Sequence, residues 1–122
     1  LQSLKHHQLL KYGNDELNSW RLEDEQGQKH DISFASRIHA NNGEFLREMA
    51  KAGHGIILSP TFIVWQDIAD GSLVPVLSQY RKPTIYAYAV YPRNRYLSKK
   101  TRVFIDFLVA HFDNRAYWDE RP

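Results

Sequence analysis

A continuous apolar run between two polar turns constrains the fold of this chain more than any other stretch. The run covers residues 56–58, and residues 33–62 around it follow the order strand, turn, helix, strand and turn. A strand that is apolar on both faces is typical of a parallel sheet covered by helices on both sides. The stretch therefore predicts a compact β-α-β unit in an α/β fold, with both turns at the ends of strands.

The segment between the two turns has the spacing of a helix. Its apolar residues recur three and four positions apart and predict one buried stripe: Phe45, Leu46, Met49 and Ala50. Asn41 or Asn42 is expected to cap this helix, because an asparagine oxygen accepts hydrogen bonds from free amides at a helix start. Gly53 stands where a left-handed residue ends a helix. A second helix is predicted to begin at Pro60 and Thr61, with its apolar side at Phe62, Ile63, Ile68 and Ala69.

The rest of the chain supplies further strands and one more helix. Alternating apolar residues on either side of a polar loop at residues 24–27 predict a hairpin, whose second strand continues toward Ala40. Residues 73–77 predict an edge strand because Pro75 lacks a donor N–H. Residues 85–91 form the strongest strand pattern of all. Ser98 is expected to cap a last helix, with an apolar stripe at Val103, Phe104, Phe107, Leu108, His111 and Phe112.

Composition narrows the class of protein. With 122 residues, 43% of them hydrophobic and 25% charged, the chain suits one globular domain. No cysteine is present, so disulfides and thiolate metal sites are excluded. The formal charge of +2 is too small to imply nucleic-acid binding by itself, and no apolar run is long enough to cross a membrane. Without an export leader, a cytoplasmic location is expected, and the absence of an initiator methionine indicates a piece of a longer protein.

No residue pattern predicts an enzyme, a metal site or a cofactor. The six histidines include no pair four residues apart on one helix face, so they are better interpreted as surface or packing residues. Ser59 lies at a strand-to-helix turn, but it lacks the flanking glycines of a hydrolase nucleophile. Gly53 and Gly55 precede a strand rather than a helix, which excludes a dinucleotide fingerprint.

Two stretches each allow a functional and a plain structural interpretation. Five cations lie close together with two tyrosines and suit either nucleic-acid contacts or a solvated loop and helix face: Arg93, Arg95, Lys99, Lys100 and Arg102. The turn at residues 41–44 suits either a ligand site or a simple helix cap with Glu44 at the positive end of the helix dipole.

The order and spacing of several short patterns identify a resemblance. In chain order they are Trp20-Arg21-Leu22, Arg37-x-x-Ala40-Asn41-Asn42-Gly43-Glu44-x-Leu46-Arg47, Ala52-Gly53-x-Gly55-Ile56-x-Leu58-x-Pro60, Ile68-Ala69-x-Gly71-x-Leu73-Val74-x-Val76-Leu77 and Leu97-Ser98-x-Lys100-x-Arg102-x-Phe104-Ile105-Asp106-Phe107-Leu108. No single pattern is specific, but the ensemble resembles the LysR-type transcriptional regulators of bacteria over nearly the whole chain.

This resemblance implies a fold and a domain organisation. The chain would form one lobe of a type II periplasmic-binding-protein-like effector domain, an α/β lobe with a mixed sheet flanked by helices. Residues 1–92 would be the second lobe of that domain, residues 93–112 the returning segment and C-terminal helix, and residues 113–122 a tail. The resemblance also implies transcription regulation without catalysis, a small-molecule effector in the cleft between lobes, and self-association. DNA would be bound only by an N-terminal helix-turn-helix outside this chain, and no membrane would be involved.

The effector contacts of the family map onto two corners of this sequence. The first corner consists of Asn41, Asn42, Gly43 and Glu44, and the second consists of Leu58, Ser59, Pro60 and Thr61. The carboxylate of Glu44 disfavours an anionic effector unless its side chain turns back to cap the helix. With one lobe only, the cleft is expected to be half-built. The alternatives are a lobe of a solute-binding protein and a small nucleic-acid-binding domain that uses the cluster between residues 93 and 102.

Overall fold

A computed structural model describes residues 1–13, 18–84, 86, 88–91, 98–112 and 118. The chain divides into two units, Leu1–Pro83 and Thr84–Pro122. The boundaries predicted at residues 92 and 112 concern lobes of a larger domain and stay predictions.

The first unit combines parallel and antiparallel strand pairing with two helices. It contains a 3-10 helix at Gln2–His6, strands β1 (Lys11–Tyr12), β2 (Ser19–Asp24), β3 (Lys29–Ser33), β4 (His39–Ala40) and β5 (Tyr80–Arg81), and helices α1 (Gly43–Lys51) and α2 (Thr61–Ala69). Strands β1 and β4 pair in parallel, whereas β3, β2 and β5 form an antiparallel sheet in that order. The described first unit is therefore mixed α/β.

The predicted hairpin is confirmed. Trp20 pairs with Ile32 across β2 and β3, and these two side chains are buried together with Leu22. The turn is closed by the Asp24 carboxylate, which accepts hydrogen bonds from the backbone N–H groups of Gln26 (3.0 Å) and Gln28 (2.8 Å). The alternation of apolar and polar residues thus places one face of the hairpin on the core.

The segment of residues 8–12, which ends in β1, lies between the two strands of the predicted β-α-β unit. On one edge, the Lys11 N–H donates to the Ile38 carbonyl (3.0 Å) and the strand pairs with β4. On the other edge, the Leu10 N–H donates to the Ile56 carbonyl, and the Ile56 N–H donates to the Gln8 carbonyl (both 2.9 Å). The strand predicted over residues 56–58 is reduced to this single parallel bridge, because the chain then turns onto the core, where Ile56 and Leu58 pack.

The core of the first unit joins the N-terminal segment to the hairpin. Its buried members are Leu4, Leu9, Trp20, Leu22 and Ile32. The ring of Phe34 packs edge-on against Trp20 at a centroid distance of 5.1 Å. Leu10, directly before β1, is fully buried outside this cluster, so Leu9 and Leu10 cover both faces of the chain at the entrance to β1, whereas Tyr12 within β1 is exposed.

The ends of α1 match their prediction, but the buried face of α2 does not. Asn42 is the N-cap of α1, and its side-chain oxygen accepts from the Phe45 N–H at 3.0 Å. Gly53 adopts φ +81°, the left-handed conformation expected after a helix. In α2 the buried residues are Val64 and Asp67, whereas the predicted core residue Phe62 is exposed. The prediction for α2 is wrong at Phe62 and Ala69, which are exposed, because the acidic side chain of Asp67 takes a buried place against α1 beside the half-buried Ile63.

Two strand predictions in the first unit are wrong. Strand β3 ends at Ser33 and does not continue to β4. The chain between these strands runs to the N-terminal segment, where the Ser36 hydroxyl donates to the Leu9 carbonyl (2.7 Å). Residues 73–77 form no strand. They lead instead into a turn with Leu77 at φ +57°, in which the Tyr80 N–H donates to the Leu77 carbonyl and begins β5.

The second unit contains helix α3 (Lys99–His111). Ser98 caps α3 as predicted, since its hydroxyl oxygen accepts from the Thr101 N–H at 3.2 Å. None of the α3 residues is buried.

Of the strand predicted at residues 85–91, Ile85 and Ala87 lie outside the described residues, and the others form no strand and are exposed. Residues 92–97, 113–117 and 119–122 are likewise outside them, which includes two cations of the basic cluster and most of the tail. Across the part of the chain that the structure describes, no helix is both long and apolar enough to cross a bilayer.

Candidate functional site

An open depression of about 440 Å³ lies between the first halves of α1 and α2. Its walls are Asn41, Asn42, Gly43, Glu44, Arg47, Phe62, Ile63, Trp65 and Gln66. All four residues of the first predicted corner therefore line one cavity. The sequence did not predict the five other wall residues. The predicted start of the second helix at Thr61 is the signal that could have identified those in the first turns of α2.

Gly43 allows the two helices to approach each other at the floor of this depression. A Cβ atom added at Gly43 would lie 2.8 Å from Cδ1 of Ile63 on α2. Such a distance is shorter than a normal carbon–carbon contact, so any larger residue would push the Ile63 side chain aside. The shape of the depression thus depends on a glycine in the first corner.

A cluster of charges joins α1 to α2 beside the depression. Asp67 is buried, with 5% of the residue exposed. Its carboxylate lies 2.7 Å from Lys51 Nζ and 3.4 Å from Arg47 Nε. Arg47 also contacts Glu48 through its second terminal nitrogen at 2.8 Å. The sequence signal was one acid within an otherwise uncharged helix, together with two cations spaced four residues apart on α1.

The charges in this cluster shift one another's pKa values. The hydrogen bond from Lys51 holds the pKa of Asp67 below its usual range, although burial acts in the opposite direction. The same hydrogen bond raises the pKa of Lys51. The pKa of Arg47 is raised chiefly by its hydrogen bonds to Glu48 and further by the charge of Asp67. All three groups are therefore ionised at neutral pH.

The lowered pKa of Asp67 predicts a specific pH dependence of stability. A carboxyl group with a folded-state pKa below its unfolded value stabilises the fold above the unfolded value, and this contribution is lost as pH falls through the folded pKa. We therefore expect the difference in unfolding free energy between the native chain and Asp67→Asn to shrink below about pH 4. Urea unfolding of both proteins between neutral and acidic pH measures this difference, and a constant difference down to the acid limit would contradict the ionic role of Asp67.

The second predicted corner does not line the depression. Leu58 packs on the core and borders a separate cavity of about 60 Å³ together with Trp20 and Tyr80. Pro60 is the N-cap of α2, and Thr61 is its first residue, directly before Phe62 in the wall. The two corners are thus connected through α2, and the effector-contacting role of Leu58, Ser59, Pro60 and Thr61 stays a prediction.

Among the described residues, no group of three or more His, Asp or Glu side chains is placed to hold a metal ion. The closest histidine–carboxylate pair is His30 Nε2 and Asp24 Oδ2 at 2.8 Å, which belongs to the hairpin. Its position links β2 to β3, and Tyr80 packs edge-on against the His30 ring. This pair serves the hairpin and lies outside the depression.

Comparison with known proteins places these features in context. Residues 1–113 match the family model described as the LysR substrate binding domain. The transcriptional regulator CrgA of Neisseria meningitidis is 35% identical over 115 residues, which are 93% of this chain and 38% of that protein. The transcriptional activator TtdR of Escherichia coli is 31% identical over 117 residues, 94% of this chain and 37% of that protein. The chain therefore spans little more than a third of the length of these relatives.

Solved structures agree with the sequence matches. The structure of CrgA superposes with a TM-score of 0.74 at 35% identity, covering 93% of this chain and 38% of that one. The regulatory domain of AphB from Vibrio vulnificus gives a TM-score of 0.67 at 30% identity, covering 90% of this chain and 54% of that one. Sequence and fold thus point to the same group of proteins.

Proposed function

The chain belongs to the LysR-type transcriptional regulators, as part of their substrate-binding domain, and we propose that it forms the effector-sensing second lobe of such a regulator. In this proposal, a small molecule occupies a cleft between two lobes, and the depression between α1 and α2 is part of the wall of that cleft. The depression carries the proposal, because four residues predicted to contact an effector line it together.

Family membership confirms several predictions made from the sequence. The fold is the α/β fold of type II periplasmic-binding-protein-like regulatory domains. The relatives are bacterial transcriptional regulators and not enzymes, in agreement with the absence of any catalytic pattern. The alternatives of a solute-binding protein and of a separate nucleic-acid-binding domain find no support in these matches.

The proposed mechanism is a coupling between effector binding and DNA binding. An effector that prefers one arrangement of the lobes shifts the protein toward that arrangement by its difference in binding free energy. Self-association of the full-length regulator then transmits the change to the DNA-binding helices, in the cytoplasm, with DNA contacted only by the N-terminal domain. The ionic cluster supports this mechanism, because Asp67 of α2 pairs with Arg47 and Lys51 of α1 and so links the two helices that form the wall of the depression.

Substitutions at Asn41 and Asn42 distinguish a role in ligand binding from a role in capping helix α1. We expect Asn42→Ala to lower the free energy of unfolding by about 1 kcal/mol, because the Phe45 N–H loses its acceptor. Asn41→Ala removes no cap, so we expect a change below about 0.5 kcal/mol. In a thermal-shift screen of small molecules on the full-length regulator, compounds that raise the native melting temperature by binding should lose that effect in Asn41→Ala.

Gln26→Ala, at the exposed turn of the hairpin, is the matched control and should respond to the same compounds as the native protein. A library without a stabilising compound, or compounds that act equally on Asn41→Ala, would contradict the proposed site. The same compounds should bind the 122-residue chain more weakly than the full-length regulator, because one lobe supplies only part of the cleft. Equal affinities would overturn the half-built cleft.

A further inference from the structure

The depression contains two ionisable side chains among its described walls, and they are not equivalent. Arg47 is the cation and Glu44 is the anion. A ligand that enters the depression meets the charge that is not already neutralised by the protein. The ion pairs of these two residues therefore decide which class of ligand the wall accepts.

Arg47 is already engaged by acidic side chains of the protein. Glu48 accepts hydrogen bonds from two of its guanidinium nitrogens at 2.8 and 3.2 Å, and the Asp67 carboxylate lies 3.4 Å from Nε. With Lys51 added, this cluster holds two positive and two negative charges. The positive charge of Arg47 is thus compensated before any ligand arrives.

Glu44, in contrast, forms no ion pair with any residue in the described ranges. It lies in the first turn of α1 with an exposed side chain. Its charge adds to the raised pKa of Arg47, but less than the charges of Glu48 and Asp67 do. The Glu44 carboxylate also offsets the positive end of the helix dipole, which would otherwise attract an anion.

Aromatic side chains form the opposite side of the depression. Phe62 and Trp65 on α2 both line it, and Phe62 is 57% exposed. Aromatic faces attract cations and pack well against planar apolar groups. An acid on one side and two aromatic rings on the other suit a ligand that carries a positive or hydrogen-bond-donating group next to an apolar part.

We propose that the effector presents an ammonium, amidinium or neutral N–H donor group to Glu44, and not a carboxylate, with its apolar part against Phe62 and Trp65. This proposal rests on the proposed function, because it assigns a ligand class to the same depression. Glu44 is then the residue that determines specificity on this wall. A charge-assisted hydrogen bond of this kind is stronger than one between neutral groups.

Three small probes that share one aromatic ring test the ligand class. Benzylammonium, benzyl alcohol and benzoate carry charges of plus one, zero and minus one at neutral pH. We expect the full-length regulator to bind benzylammonium about tenfold more tightly than benzoate, as measured by NMR titration. Glu44→Gln should reduce this ratio to within about threefold, because the amide no longer attracts a cation.

Glu25→Gln is the matched control, since it removes the same charge from the exposed turn of the hairpin, and it should leave the ratio unchanged. A ratio that favours benzoate, a ratio that changes equally in both variants, or no binding of any probe would overturn the ligand class. These outcomes would leave the proposed function standing, because that function is tested by whether compounds of any charge lose their effect in Asn41→Ala.

Discussion

Gly55→Ala is expected to lower the free energy of unfolding by about 3 kcal/mol, the largest effect of any single substitution considered for this chain. Gly55 adopts φ +152°, and a Cβ atom built on it would fall onto the carbonyl oxygen of Gln8 and 3.1 Å from Cδ2 of Leu10. The Gln8 carbonyl cannot move away freely, because it accepts a hydrogen bond from the Ile56 N–H in the parallel bridge between Leu9 and Ile56. The added methyl group therefore pushes residues 55 and 56 away from the segment that precedes β1.

The neighbouring glycine provides the control for this experiment. Gly53 also has a positive φ, +81°, but a Cβ atom there would meet nothing within 4 Å. Gly53→Ala therefore introduces backbone strain without a steric clash and should cost about 1 kcal/mol. Urea unfolding followed by circular dichroism measures both variants, and equal losses would show that contact with Gln8 does not determine the effect.

Asp67→Asn is expected to lower the free energy of unfolding by about 2 kcal/mol. The carboxylate is buried and contacts both cations of α1, so its replacement leaves Lys51 and Arg47 without their shared partner. A neutral amide of the same size keeps the packing, removes the charge and replaces one acceptor oxygen with an NH2 donor. Because the cations are partly exposed, water recovers some of the loss, and the cost falls below that of a fully buried pair.

Asp31→Asn is the matched control for Asp67→Asn. Asp31 pairs with Arg21 at 2.9 Å, but both side chains are more than half exposed. Exposed ion pairs contribute little to stability, so this control should change the unfolding free energy far less. A loss at Asp67 no greater than that at Asp31 would show that the cluster between α1 and α2 does not stabilise the fold.

Features with a local cause were predictable from the sequence. The hairpin followed from alternation around a polar loop, since Asp24 closes its own turn. The caps at Asn42 and Ser98 followed from side chains that accept hydrogen bonds from amides three residues ahead. In each case the partners lie within a few residues of one another, so a short window of sequence contains the whole interaction.

Features with a distant cause were not predictable. Residues 73–77 have strand-like composition, but the neighbouring edge of β2 is taken by β5 instead. The buried face of α2 depends on cations of α1 more than a dozen residues away, which no helical period reveals. The segment of residues 9–12 is paired on both edges, and its second partner, Ile56, is more than forty residues further along the chain.

The candidate site was predictable in one half only. The four residues of the first corner were identified because a helix start exposes free amides and because the family resemblance assigns effector contacts there. Arg47 was missed because cations on a helix surface are usually solvated, and Phe62 was assigned to the core when it lines the depression. A wall formed by two helices can be identified only when the distance between α1 and α2 is known, and the sequence does not give this distance.

The position of residues 9–12 between two partners that come later in the sequence constrains the order in which this unit can form. The strand that comes first along the chain acquires its neighbours only after residues 39 and 56 have been synthesised. Closing such long loops before any contact is rewarded slows folding. The hairpin of β2 and β3, whose partners are adjacent, can form early, whereas Leu9 and Leu10 gain their cover only after residue 56 has been added to the chain.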